Sequence, residues 1–179
     1  RYRKIINPEL TQKIKAGENV FYFISVDVGR IQCQTVATVF KVYRHQDRFD
    51  VRVVNIVVIG AGHTTHHFDE QALELKRLIS AYQCDEILID TNGLGVALMD
   101  FMVKPTMAPE GMYPAYCAIN DDEYSKKLYP DAIPLVYSMK SNNTLDSKIH
   151  ANCYTMINSG RVYFLAREQE IKNKLLATK

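Results

Sequence analysis

FYFISVDVGRIQCQTVATVFKVYRHQDRFDVRVVNIVVI, residues 21–59, decides the fold class. Phe21–Asp27 is a nearly continuous apolar run, the pattern of a central strand covered on both faces. Gln34–Arg44 and Phe49–Ile59 alternate and are rich in β-branched residues, which suit a pleated surface. The intervening HQDR is short and polar, so a hairpin joins them. Three successive strands in an antiparallel meander are therefore expected to open the domain.

Beyond this stretch GAGHTTHH breaks the pattern, and Asp69–Tyr82 places Ala72, Leu75, Leu78, Ile79 and Tyr82 at helical spacing. Glu86–Asp90 reads as a fourth strand and Gly95–Met102 as a short helix. Pro105, Pro109, Gly111 and Pro114 make residues 103–114 a loop, after which Tyr113–Asn120 reads as a fifth strand. Asp121–Pro134 is polar and reads as a surface excursion. A helix is expected over Leu145–Asn158, capped by Asn143 or Thr144, with Ile149, Cys153, Met156 and Ile157 inward. Gly160 ends it, Val162–Leu165 is a short strand, and Arg167–Lys179 starts another helix. The order β-β-β-α-β-α-β-α implies an α/β domain with a mixed sheet: a meander first, then a crossover to a parallel strand.

The length of 179 residues fits one domain, over residues 20–179, behind a polar lead-in at 1–19. That lead-in opens on RYRK without a methionine, so a piece of a larger protein is expected. Hydrophobic residues at 47% against 23% charged exclude a disordered chain. A net charge of +2 neither requires nor excludes a nucleic-acid partner, because a basic face can coexist with an acidic metal site. Cys33, Cys84, Cys117 and Cys153 are widely spaced with no CxxC, which predicts buried free thiols in a reducing compartment rather than a zinc site. No signal peptide and no apolar run near the ~18 residues of a membrane span is present, so a soluble intracellular protein is expected.

Two aspartates carry the candidate chemistry. Asp27 ends the first predicted strand and Asp90 the fourth, each before a glycine-containing turn that exposes a side chain. Paired carboxylates at strand ends suit hard divalent cations, which take oxygen ligands. Taken singly, each aspartate reads better as a turn-former or helix cap; taken together, at the ends of adjacent predicted strands, the pair reads better as a metal site. His63, His66 and His67 read as a solvated loop leading into the helix, since only Asp69 stands at ligand spacing. Asn92, Gly93 and Gly95 make a tight strand-to-helix turn that would also let a nucleic-acid backbone approach. Lys140, Lys148 and Arg161 are candidates to neutralise phosphates, or solvated surface charges. The tyrosines at 113, 116, 124, 129 and 137 are assigned mostly to packing.

SVDVGR followed by QTVATVFKVYR, and then ILIDTNGLGVALMDFM after one helix, resemble the C-terminal nuclease domain of viral terminase large subunits. More broadly, three opening strands with an acid at the end of the first, then a helix and a strand ending in Asp, resemble the ribonuclease H-like superfamily. The resemblance spans about Phe21 to Leu165 and implies a central mixed sheet with helices on both faces. It implies a metal-dependent endonuclease that cuts concatemeric double-stranded DNA during genome packaging, using two Mg2+ or Mn2+ ions. It further implies Asp27 and Asp90 as metal ligands, the terminase small subunit and the portal protein as partners, and the host cytoplasm or nucleus as location. A third acid is implied on a late helix. No matching stretch closes this chain, which leaves either a longer parent chain or Asp146 as a substitute. No G-x-x-x-x-G-K-[ST] loop is present, so the packaging ATPase is expected upstream. The rivals are an actin-like or sugar-kinase ATPase, which needs a second repeat of the fold, and a non-catalytic DNA-binding or assembly module.

Overall fold

A computed structural model describes residues 20–29, 34–59, 68–140 and 142–165. The lead-in, the histidine loop and the helix expected over 167–179 lie outside the described residues. In chain order the elements are β1 (Val20–Asp27), β2 (Thr35–His45), β3 (Arg48–Ile59), α1 (Phe68–Tyr82), β4 (Glu86–Asp90) and α2 (Leu94–Met102). They continue with β5 (Thr106–Ala108), β6 (Gly111–Tyr113), β7 (Tyr116–Ala118), β8 (Ile133–Met139), α3 (Asn143–Asn158) and β9 (Val162–Tyr163).

Seven strands form one mixed sheet in the order β7-β8-β4-β1-β2-β3-β9, and β5 with β6 makes a separate hairpin. The meander is antiparallel as its alternation requires, while β4 lies parallel to β1, β8 to β4, β7 to β8 and β9 to β3. Only β2 therefore runs against the other strands. The expected α/β class with a mixed, mostly parallel sheet is the observed one.

One face of the sheet is filled by α1 and α2. Tyr22, Ile24 and Val26 of β1 and Ile87 and Ile89 of β4 are buried with Leu75 and Ile79 of α1 and Leu98, Met99 and Met102 of α2. Alternation then sends Phe21, Phe23, Ser25 and Asp27 to the opposite face, which is more exposed. There Phe23 stacks on Phe40 across the β1–β2 pair, with ring centroids 4.7 Å apart. Leu145 of α3 joins Tyr137 and Met139 in lining a cleft.

Three expectations are corrected. The surface excursion expected over Asp121–Pro134 ends two residues early: Ile133 and Pro134 begin β8, which is inserted between β7 and β4. Pro134 is tolerated there because Ile133 donates to the Ala115 carbonyl of the β7 side, so the next nitrogen faces the β4 side, where pairing begins only at Val136. Ile149, Cys153 and Ile157 do not point into a core. No residue of α3 is fully buried, and Cys153 is exposed, whereas Cys84 and Cys117 are buried as expected. The α3 cap is Asn142, whose side chain accepts from the backbone N–H groups of Thr144 and Leu145.

The helical layer contains a buried cation. Lys76 of α1 is fully buried, and its Nζ donates to the carbonyls of Phe101 and Lys104 and to Thr106 Oγ1. It thus gathers carbonyls at and just beyond the end of α2, of which that of Phe101 also accepts from the Lys104 N–H. Burial pushes its ammonium down to about 8. Lys76→Met is expected to destabilise the domain by about 2 kcal/mol, because it orphans buried acceptors. Above pH 8 the folded chain releases this proton while the unfolded chain keeps it to its ordinary value of 10.5. The unfolded state then binds more protons, so the wild-type advantage over Lys76→Met should widen as pH rises through that window. Paired denaturant melts at pH 7 to 10 check both statements.

Candidate functional site

In the β1–β4 pair, Val26 stands opposite Ile89, so the next residue on each strand brings Asp27 and Asp90 side by side. Adjacent strands lie about 4.8 Å apart, and residues in register on parallel strands project to the same face. The two carboxylates therefore share the carboxyl edge of the sheet, Asp27 exposed and Asp90 half-buried. This is the end of a parallel sheet at which ligands bind in open α/β folds.

The turn after Asp90 is built by the residues that the strand-to-helix reading singled out. Asp90 Oδ1 accepts from the backbone N–H of Asn92 at 2.9 Å, the local bond by which aspartate closes turns. The chain then reverses at Gly93, where φ is +69°. At Gly95 a Cβ would lie 1.8 Å from the Asp90 carbonyl oxygen, so only glycine lets α2 begin directly on the end of β4. Asp90 is thus both a turn-former and a carboxylate at the edge, and the two roles use different lone pairs.

Behind each acid lies a buried polar bracket that sequence reading missed. Behind Asp27, the turn residue Gly29 donates its N–H to Thr35 Oγ1 at 2.9 Å. The Thr35 hydroxyl lies 2.8 Å from Gln71 Oε1 on α1, and Gln71 Nε2 reaches the Gly29 carbonyl at 3.3 Å. Gln71 had a detectable signal, because it occupies the apolar stripe of its helix four residues before Leu75.

Behind Asp90, Thr91 donates its N–H to the Met139 carbonyl at 2.9 Å, and its hydroxyl lies 2.7 Å from Ser138 Oγ. Ser138 Oγ in turn donates to Asp121 Oδ2 at 3.2 Å. The side chain of Asn120 pairs with the Ser138 backbone as a strand would, accepting from its N–H and donating to its carbonyl, both at 2.8 Å. Asp121 also accepts from the N–H groups of Glu123 and Tyr124 at 3.0 and 3.2 Å, and Lys140 Nζ lies 2.7 Å from its Oδ2. A cleft of about 410 Å³ beside this bracket is lined by Asp121, Asp122, Glu123 and Lys140 together with Asn120, Ser138 and Leu145.

The other sequence candidates are distributed differently. Lys140 reaches this edge through its ion pair. Lys148 is an exposed residue of α3, and Asp146 is exposed in the first turn of the same helix. Arg161 sits beside β3 and β9 at the far edge of the sheet, where its Nε and Nη2 donate to the Phe49 carbonyl at 2.9 and 2.6 Å. Of the five tyrosines, Tyr116 is buried, Tyr113 and Tyr124 are half-buried, and Tyr129 and Tyr137 are exposed. His63, His66 and His67 lie outside the described residues.

Asp27 and Asp90 offer hard oxygen donors of the kind Mg2+ accepts, since that ion is commonly held by one or two carboxylates and completes its shell with water and phosphate oxygens. Among the described residues, no three His, Cys, Asp or Glu side chains are grouped to hold a metal ion. Among the same residues, no helix is long and apolar enough to cross a membrane. Compared with known proteins, the chain matches no family model and no curated sequence.

Lys140 holds the Asp121 carboxyl well below its ordinary value, at about 2, with the two backbone N–H groups acting in the same direction. A carboxylate depressed in this way contributes stability that is full above its unfolded value near 3.8 and is lost as pH falls towards 2. Wild-type protein should therefore lose more stability between pH 4 and pH 2 than Asp121→Asn, measured by urea unfolding across that range. Equal acid slopes would contradict the assignment.

Proposed function

We propose that this domain is a metal-dependent endonuclease of the ribonuclease H-like type, acting on double-stranded DNA during viral genome packaging as in terminase large subunits. One observation carries the reading: Asp27 and Asp90 end neighbouring parallel strands in register, on the same face and at the same edge. The meander that leads into a crossover and a strand parallel to β1 supports the fold side of the reading. In this proposal Asp27 and Asp90 hold Mg2+ or Mn2+, and the small subunit and portal act through a parent chain.

Bound divalent ions would supply Lewis acidity towards the phosphoryl oxygens and a water of lowered pKa. The chain's own contribution is placement. The rigid β1–β4 pair fixes both carboxylates, and Asn92 anchors one oxygen of Asp90 so that the other faces the edge. Gly93, exposed with open space at its Cβ position, keeps a side chain out of the approach to Asp90. The exposed setting of Asp27 suits a duplex, which is too wide to enter a closed pocket and is met chiefly through its backbone.

A second reading has an observation in its favour. No third acid joins the pair among the described residues, which fits a DNA-binding or assembly module that keeps the fold without the chemistry. Asp27→Asn and Asp90→Asn separate the two. Asparagine keeps an oxygen for the Asn92 N–H, so both variants should fold with wild-type melting temperatures. Each should lower Mn2+- or Mg2+-dependent cleavage of duplex DNA by roughly 100-fold or more, exceeding the 10–100-fold typical of losing only a ligand's supporting partner. DNA affinity in EDTA should be retained. Cleavage equal to wild type in both variants would remove the nuclease reading.

A further inference from the structure

The bracket behind Asp90 ends in an ion pair between a buried carboxylate and an exposed ammonium. Asp121 is a buried carboxylate accepting from two backbone N–H groups and the Ser138 hydroxyl, so its bonding is largely satisfied without Lys140. Lys140, by contrast, is mostly exposed, with 63% of its side-chain surface accessible. Its only described ion-pair partner is Asp121, at 2.7 Å. A long, flexible lysine on the surface ordinarily samples many rotamers and gives up rotamer entropy when fixed. Here one N–H is directed to a buried anion, and the remaining ammonium donors stand in the cleft beside the end of β8, where Lys140 is the one cation among Asp121, Asp122 and Glu123.

The position matters because of the neighbouring strand. Met139 pairs with Asp90, so Lys140 follows directly on the residue opposite that acid. Asp121 stands beyond the end of β7 at the same carboxyl edge. The hydrogen-bond chain from Thr91 through Ser138 to Asp121 ties the end of β4, the end of β8 and the segment after β7 into one unit. The ammonium is held by the same unit that fixes the strand bearing Asp90.

We propose that Asp121 is a positioning residue that holds the Lys140 ammonium at the carboxyl edge, where the ammonium meets a backbone phosphate of bound DNA. The proposal rests on the nucleic-acid part of the function above and is independent of hydrolysis. Lys140 is the group that touches the ligand; Asp121 acts only through it.

The test is the affinity of a labelled duplex of about 20 base pairs, measured by fluorescence anisotropy in EDTA across a range of salt concentrations. The proteins are wild type, Lys140→Ala, Lys140→Arg, Asp121→Asn and the Asp121→Asn/Lys140→Ala pair. Lys140→Ala should weaken binding roughly ten-fold near 0.1 M salt and reduce the salt slope by about one, as expected for loss of a single phosphate contact. Lys140→Arg should keep the wild-type slope.

The sign of the Asp121→Asn effect decides the positioning role. An anion that merely opposes DNA would, once neutralised, tighten binding to the same degree whether residue 140 is Lys or Ala. A positioning anion gives non-additive effects: Asp121→Asn weakens binding several-fold when Lys140 is present and does not weaken it in the Lys140→Ala background. Equal tightening in both backgrounds overturns the proposal, as does a Lys140→Ala salt slope equal to wild type. Asparagine retains the oxygen that accepts from Glu123 and Tyr124, and circular dichroism melts of each variant confirm that folded proteins are being compared. A wild-type chain that fails to bind duplex at all sinks the nucleic-acid reading itself, a result distinct from either failure of the cycle.

Discussion

The register of β1 against β4 is the constraint on which the rest of the structure depends. These strands are separated in sequence by β2, β3 and α1, so nothing local fixes how they align. Their side chains fix the parity. Ile24 and Val26 on one strand and Ile87 and Ile89 on the other are all buried under α1 and α2. A slip of one residue would exchange every apolar contact for its outward neighbour and drive Asp27 beneath the helices, where an unpaired charge is costly. A slip of two would keep the parity, and it is opposed at both ends of the pair. At the amino end, Asp85 donates its N–H to the Tyr22 carbonyl at 2.8 Å while its carboxylate accepts from the Tyr22 N–H at 2.9 Å. At the carboxyl end, Gly95 seats α2 directly on the Asp90 carbonyl. The apposition of the two aspartates is a consequence of this over-determined pairing.

The same pairing explains why polar groups are buried where they are. A core this apolar does not need Thr35, Gln71, Thr91 or Ser138 for stability, and each must be hydrogen-bonded to avoid a desolvation cost. All four occur immediately behind the turns that follow Asp27 and Asp90, and all four have partners. Buried networks of this kind, when fully satisfied, specify one arrangement rather than a family of similar ones. They stiffen two turns that glycine would otherwise leave loose.

Much of this was legible in the chain. The alternation in β2 and β3, the apolar run of β1 and the stripe of α1 each reflect burial on known faces, and both aspartates stood out because each interrupts an apolar run at its end. What was illegible involved context from distant residues. Pro130 and Pro134 made residues 121–134 read as loop, yet Pro134 enters β8 at a position whose nitrogen faces away from β7 and precedes the β4 pairing. With β8 unseen, β7 had no parallel neighbour, and Asp121 could not be placed beside Ser138 and Lys140. Lys76 looked like a residue for a solvated face, and only the end of α2 supplies the carbonyls that explain its burial. The inward pattern expected of α3 failed for the converse reason: its periodicity is real, but among the described residues nothing closes over Ile149 or Ile157.

The asymmetry of the sheet has a bearing on chemistry. One face is covered by two helices, whereas Asp27, Asp90 and Met139 lie on the other, in register across three adjacent strands. Strand alternation forces a division of labour at the edge, because consecutive residues must face opposite ways. Asp90 faces the open side, and Thr91, one residue later, turns towards Ser138 and Asp121. A carboxylate meant to meet a ligand is thereby backed by a hydroxyl that cannot meet it, and the neighbouring strand repeats the arrangement with Met139 and Ser138. The open face supplies access and the closed face supplies rigidity, and the two functions are separated by a single peptide bond on each strand.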